Sequence, residues 1–297
     1  MMNFRIIKNE EIDRSKWDEC LANHPGSLIY SQSFYLDAMC KWDALIVGDY
    51  EAIMPLPNRT KWKMNYLFQP AFTQQLGIVG NAGTDAVIDY VSQKFSFAEI
   101  ALNYLNNPGN VTKSCNNFIL DLSSSYENSR EHYSSSLKSN LKWLQKFELH
   151  YSKDSGYIEA IDLFQSLYGK KLPKVSPDDY TNFKKICTHL YQQNNLVLRT
   201  ATSSNNQLAA LVLMLKDKNR LYNVISCTTA LGKGMQANYF IYDNIINEFS
   251  GSGLVLDFEG SDIEGVARFY KKFGTVNQAY PFVKWNTLPA IVKLFKK

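Results

Sequence analysis

Apolar residues along this chain switch repeatedly between a spacing of two and a spacing of three to four, and each switch marks an element. Residues 4–7 are a short apolar run that predicts a strand. Trp17, Cys20 and Leu21 fall on one helical face of residues 13–21, and Phe34, Tyr35, Ala38 and Met39 do the same for residues 31–40. Two apolar runs around Gly48 and Asp49 predict a hairpin over 42–55. Residues 62–80 are aromatic and β-prone but interrupted by Pro70. A helix over 84–94 follows, then strands over 97–105 and 117–122, the second alternating at Phe118, Leu120 and Leu122.

The stretch 123–130 is polar and serine-rich, and it predicts a linker between domains spanning 1–128 and 129–297. Residues 131–147 form a basic amphipathic helix, with Leu137, Leu141 and Leu144 on one face and Lys138, Lys142 and Lys146 on another. The lysine row reads either as a solvated surface or as a wall for phosphates. Beyond a short strand at 149–152 come helices over 157–171 and 178–193. Strands over 196–202, 208–215 and 220–226 follow, then a helix over 234–249, a strand over 253–259, a helix over 262–273 and a closing strand over 279–285. Three strands in a meander, then strand–helix alternation, predict an α/β (α+β) fold with a mixed, mostly antiparallel sheet flanked by helices. The first half repeats that order more roughly.

Composition narrows the chemistry by exclusion. A net charge of +4 is too mild to argue for nucleic acid through bulk electrostatics. Cys20, Cys40, Cys115, Cys187 and Cys227 are scattered and include no CxxC pair, and His24, His132, His150 and His189 lack ligand spacing. Neither a disulfide framework nor a metal site is expected. No G-x-S-x-G elbow or P-loop occurs. With no signal-like N-terminus and no apolar stretch long enough for a membrane span, the sequence predicts a cytoplasmic protein.

Residues 253–274 carry the most information. Leu254, Leu256 and Phe258 alternate with Val255, Asp257 and Glu259, which predicts a strand with two carboxylates on one face, about 7 Å apart. Such strand tips are where open α/β sheets bind ligands. Gly260 allows a tight exit, Ser261 and Glu264 match a capping box, and Gly274 stands at the helix stop. Glu259, at the tip, is the candidate general base. Asp257 reads equally as a second catalytic carboxylate or as a brace for the turn. Tyr270 either packs with Phe269 and Phe273 or supplies a phenol to the chemistry.

The run 267–274, Ala-Arg-Phe-Tyr-Lys-Lys-Phe-Gly, resembles the end of the GNAT acyltransferase fold. Together with Leu256-Asp257-Phe258-Glu259-Gly260-Ser261 and the Ser139-Asn140 to Lys146 helix, it is similar to the C-terminal domain of the Fem-type peptidoglycan aminoacyltransferases. The likeness covers residues 130–286; the first half matches in its order of elements. It implies two fused GNAT-like domains, with an acceptor in the cleft between them. In many GNAT enzymes the matching tyrosine protonates the departing thiolate, a role that falls on Tyr270. The family's pyrophosphate turn maps onto Gly232, Lys233 and Gly234, with Lys271 as a further phosphate ligand. Leu231 stands where that turn has Arg or Gln, and Gln236 where it has a small residue. The Lys that usually follows the first Phe of the family's last helix is replaced by Tyr270. The implied reaction moves an acyl group from a coenzyme A thioester to an amine. Two alternatives are aminoacyl transfer from tRNA to a cell-wall precursor, and a non-catalytic pair of domains that binds a cell-wall or polysaccharide fragment. The oligomeric state stays open.

Overall fold

The alternating runs assemble into two sheets in the computed structural model, which describes residues 3–61, 64–260 and 262–288. The chain begins with β1 (Phe4–Ile7), α1 (Arg14–Asn23), α2 (Ser33–Met39), β2 (Trp42–Val47), β3 (Ala52–Lys61), β4 (Met64–Leu67), β5 (Val79–Gly80), α3 (Thr84–Ser92), β6 (Phe97–Ala101) and β7 (Lys113–Cys115). It continues through β8 (Phe118–Asp121), α4 (Tyr126–Glu131), α5 (Ser135–Leu144), β9 (His150–Asp154), α6 (Tyr157–Tyr168), α7 (Pro177–Gln192), β10 (Leu196–Thr202), β11 (Leu208–Lys216) and β12 (Arg220–Thr228). The next elements are α8 (Ala230–Gly234), α9 (Ala237–Phe249), β13 (Val255–Asp257), α10 (Glu264–Lys271), β14 (Val276–Asn277) and β15 (Tyr280–Asn286).

One sheet runs β1-β2-β3-β4-β6-β15-β7 with β5 on β3, and the other runs β14-β8-β13-β12-β11-β10-β9. Each is mixed and mostly antiparallel, as expected, with a parallel pair β4–β6 in the first and β12–β13 in the second. The chain divides into two compact units. One runs through Cys115 and takes the chain back from Ala279, and the other is Asn116–Gln278. The boundary expected at 128/129 therefore falls inside the second unit, within α4. β8 pairs with β13 in the second sheet, and the closing strand β15 pairs with β6 and β7 in the first. Strand pairing between distant segments carries no local signal, so a linker-like composition is a poor guide to where the units divide.

The serine-rich stretch is a helix start rather than a linker. Ser125 caps α4 by accepting from the Asn128 amide, and the Tyr126 hydroxyl donates to Asp243 of α9 at 3.0 Å. Serine favours caps and turns for the same reason, a side chain that bonds nearby backbone, and only the partners tell the two apart. The helix expected over 131–147 is likewise split, because Ser134 caps a fresh start at α5. Leu137, Leu141 and Leu144 bury their predicted stripe against β8, β10–β13 and α9. Trp62, Lys63 and Ser261 lie outside the described residues.

Candidate functional site

β12 carries the geometry of the site. It pairs in parallel with β13 for three residues only, Arg220↔Val255, Leu221↔Leu256 and Tyr222↔Asp257. β13 then ends while β12 runs on to Thr228, so the two strands part at Asn223. Against β11, Met214 pairs with Asn223 and Leu213 with Ile225, which leaves Val224 as a bulge. One extra residue turns every later side chain to the opposite face. Asn223, Ser226 and Thr228 thus share a face, the face covered by α9, where Asn223 and Ser226 stand beside the Tyr242 hydroxyl.

The predicted strand over 253–259 stops at Asp257, so the two carboxylates do not share a strand face. Asp257 is 1 % exposed and bonds at both oxygens. Oδ2 accepts from Arg220 at 2.5 Å and from the Asn117 amide at 3.2 Å, and Oδ1 accepts from the Glu259 backbone at 2.9 Å. Arg220 also donates to the Gln278 side chain at 3.1 Å. Of the two readings open to Asp257, its surroundings match the brace. Its hold on the Glu259 amide helps keep that residue at φ 56°, in the left-handed region that non-glycine residues rarely occupy. Gly260 follows because a Cβ there would sit 1.7 Å from the Asn116 carbonyl oxygen.

Glu259 itself is released from such bonding. Its Oε1 is enclosed and has no hydrogen-bond partner among the described residues, and burial pushes the carboxyl up to about 8. Tyr270, from α10, packs its ring against Phe258 at 4.7 Å, Phe269 at 5.6 Å and Phe118 at 6.3 Å. Burial holds its phenol well above the ordinary value. Neighbouring Tyr242, Glu259 and Asp257 reinforce that, and hydrogen bonding from Asn223 opposes it. The phenol stays protonated at neutral pH and has polar neighbours despite its aromatic bed. Glu264 does not cap α10. It is the helix's first residue and pairs with Arg268 at 2.5 Å in solvent, while Gly274 takes the expected left-handed stop at φ 76°.

The glycine turn departs from the expected phosphate cradle. Residues 230–234 form α8, and the Gly232 amide donates to Thr229 Oγ1 at 3.1 Å. Gly232 is there for packing: a Cβ would lie 1.9 Å from the Ala209 carbonyl oxygen. Gly232→Ala should therefore destabilise the fold by about 1–3 kcal/mol, read as a lower denaturation midpoint, whereas Gly234→Ala, with open space around it, should not. The helix expected from 234 breaks at Gln236, at φ 54°, and restarts as α9 without a side-chain cap. There a cavity of about 570 Å³ is lined by Lys233, Lys272, Gln236, Asn238, Thr228 and Asn140, among others. Lys272 also donates to the Tyr239 hydroxyl at 2.8 Å. Lys271 is not in that lining; its ammonium stands 5.5 Å over Phe118, because adjacent helical residues point about 100° apart. Among the described residues no His, Cys, Asp or Glu cluster could hold a metal ion, and no helix is long and apolar enough to cross a membrane.

No family model matches the chain, and no curated protein matches it. Solved structures do. FemX aligns over 100 % of both chains with a TM-score of 0.68 at 10 % identity. A conserved protein of unknown function from Bacteroides thetaiotaomicron aligns over 96 % of this chain and 99 % of its own, with a TM-score of 0.59 at 11 % identity. L-PGS from Bacillus licheniformis aligns over 95 % of each, with a TM-score of 0.52 at 10 % identity. The fold is Fem-type, with two GNAT-like halves. Within this Fem-type fold, the sequence singled out Glu259, Tyr270 and Asp257, which do converge around β13. It passed over Asn223, Tyr242 and Lys272. An asparagine inside the apolar run Leu221–Cys227 was the available signal for the first, since a buried polar residue in a strand requires a reason.

Proposed function

We propose that this protein is an acyl- or aminoacyl-transferase that forms an amide on an amine acceptor, with its chemistry in the second unit. The observation that carries the reading is Glu259. A carboxyl with an unpartnered, enclosed oxygen and a value raised to about 8, beside a buried phenol, is arranged for proton transfer and contributes little as a structural group. The amine nitrogen attacks the donor's acyl carbon and loses a proton to the Glu259 carboxylate. The bond to the carrier breaks as Tyr270 protonates the departing sulfur or oxygen. The proton held by Glu259 then restores the phenol. Asp257 takes no proton in this scheme; it fixes the Glu259 backbone. The cavity at Lys233 and Lys272, with the uncapped start of α9, suits a phosphate of the carrier.

A coenzyme A thioester and an aminoacyl-tRNA both present phosphates there. The tRNA reading gains from α5, whose Asn140 lines the cavity while Lys138, Lys142 and Trp143 are exposed on the same helix and Lys146 is exposed in the turn that follows it. A cell-wall precursor amine is the acceptor to try first with that donor. Transfer from acetyl-CoA, longer acyl-CoAs and charged tRNA to primary amines tests the proposal. Tyr270→Phe should lower turnover by about 100-fold with whichever donor is active. Lys233→Ala with Lys272→Ala should raise the donor KM and flatten its salt dependence, for RNA by about one unit of log–log slope for each phosphate no longer neutralised. No transfer from any of these donors would refute the enzyme reading and leave a binding module.

A further inference from the structure

Three buried polar atoms of the second unit find no hydrogen-bond partner among the described residues, and all three belong to neighbours of the Tyr270 hydroxyl: Glu259 Oε1, Asn223 Oδ1 and the Tyr242 hydroxyl. Asn223 is 4 % exposed and Tyr242 1 %. The Tyr242 hydroxyl stands beside Asn223 and Ser226 without a well-formed bond to either, and the Asn223 side chain also stands beside the Tyr270 hydroxyl, its amide nitrogen reaching the Phe258 carbonyl at a long 3.4 Å. Tyr242 and Tyr270 both pack on Phe258, at 5.2 Å and 4.7 Å. Each unmade bond costs stability, and one fold rarely gathers several such costs in one place without a use. The bulge at Val224 and the parting of β12 from β13 fall at this same point. Arg220, the cation at that parting, is committed to Asp257 and Gln278, so negative charge developing here must be met by neutral donors.

We infer that Asn223 and Tyr242 grip the amide as it forms: Asn223 Oδ1 accepts an N–H of the attacking amine, and the Tyr242 hydroxyl donates to the acyl oxygen. This rests on the transferase reading above. One unpartnered acceptor and one unpartnered donor match the N–H and oxygen that flank the new C–N bond. The polar row Asn223, Ser226 and Thr228 then leads from that point to the cavity of Lys233 and Lys272, which Thr228 lines.

The decisive signature is a variant that is more stable and less active. Tyr242→Phe deletes an unsatisfied hydroxyl, so its melting temperature should rise by about 3 °C or more. Its kcat, with the donor found active among acetyl-CoA, longer acyl-CoAs and charged tRNA, should fall about 100-fold or more with little change in KM. Asn223→Ala should lose kcat similarly, while Asn223→Asp, which keeps an acceptor oxygen, should recover most of it. A Tyr242→Phe chain that melts at or below the parent means the hydroxyl is satisfied in the folded state, and the inference fails. It fails equally if Tyr242→Phe keeps kcat within threefold, or if Asn223→Asp is as impaired as Asn223→Ala. A parent that transfers from none of these donors removes the transferase reading and this inference together; an active parent with indifferent variants removes only the inference.

Discussion

Glu259→Gln is expected to lower amide formation by about 100-fold or more while leaving the chain folded, because it keeps the side chain's shape and removes the proton acceptor. The pH dependence gives this prediction its specificity. With the carboxyl raised to about 8, kcat/KM should climb about tenfold per pH unit below that value and level off above it, since the base form is the active one. An acceptor that binds as an ammonium beside the carboxyl pulls its value down, so the kcat profile should be displaced to lower pH. Stability moves the other way. The folded chain holds this proton up to about pH 8 and the unfolded chain only to about 4.5, so the folded state binds more protons between them. The contribution of Glu259 to stability then falls as pH rises from about 4.5 to about 8 and flattens beyond. Glu259→Gln should remove that contribution, and the variant should be more stable than the parent at about pH 9. Melting curves from about pH 5 to about pH 9 on both proteins check this, and identical pH slopes would show that Glu259 is solvated and ordinary.

Arg220→Ala is expected to have the largest effect on folding. Arg220 and Asp257 are 8 % and 1 % exposed at the side chain, and the pair holds the Asn117 amide and the Gln278 side chain in one network. Removing the guanidinium leaves a buried carboxylate without its counter-charge, a loss of about 3–5 kcal/mol. For a unit of this size that is a fall of about 6–20 °C in melting temperature. Asp257→Asn should be milder, because the amide oxygen still accepts a hydrogen bond and Arg220, left without its counter-charge, keeps its bonds to the Gln278 side chain. By contrast, Glu264→Ala, which breaks a solvent-exposed pair with Arg268, should change stability by under about 0.5 kcal/mol. Denaturant titration of the variants orders the three. A loss below about 1 kcal/mol for Arg220→Ala would mean that Asp257 takes up a proton or finds water in the folded state, and that it does not brace Glu259.

These two carboxylates mark how far the sequence could be read. Asp257 and Glu259 are two residues apart on an alternating run, and alternation alone gives them one environment. In the fold they have opposite ones, because β13 pairs with β12 for only three residues and the chain turns left-handed at Glu259. Gly232 and Gly234 look like one motif, yet one is held by the Ala209 carbonyl and the other meets nothing. Lys271 and Lys272 are equivalent in composition, and helical rotation sends only the second to the cavity.

The elements and their order are legible in the chain before it folds. The period of apolar residues, the Gly48 and Gly274 turns and the buried leucine stripe of α5 are local, and each is fixed within a few residues of chain. The mixed, mostly antiparallel sheets follow from that order. Tertiary structure alone decided where the units divide, which carboxylate is paired, and which polar atoms are buried without partners. Those depend on residues far apart in sequence meeting in space, such as Asn117 with Asp257 and Arg220 with Gln278. Desolvation, which raises Glu259, is likewise a property of the surrounding atoms and has no trace in the residue's own neighbours along the chain.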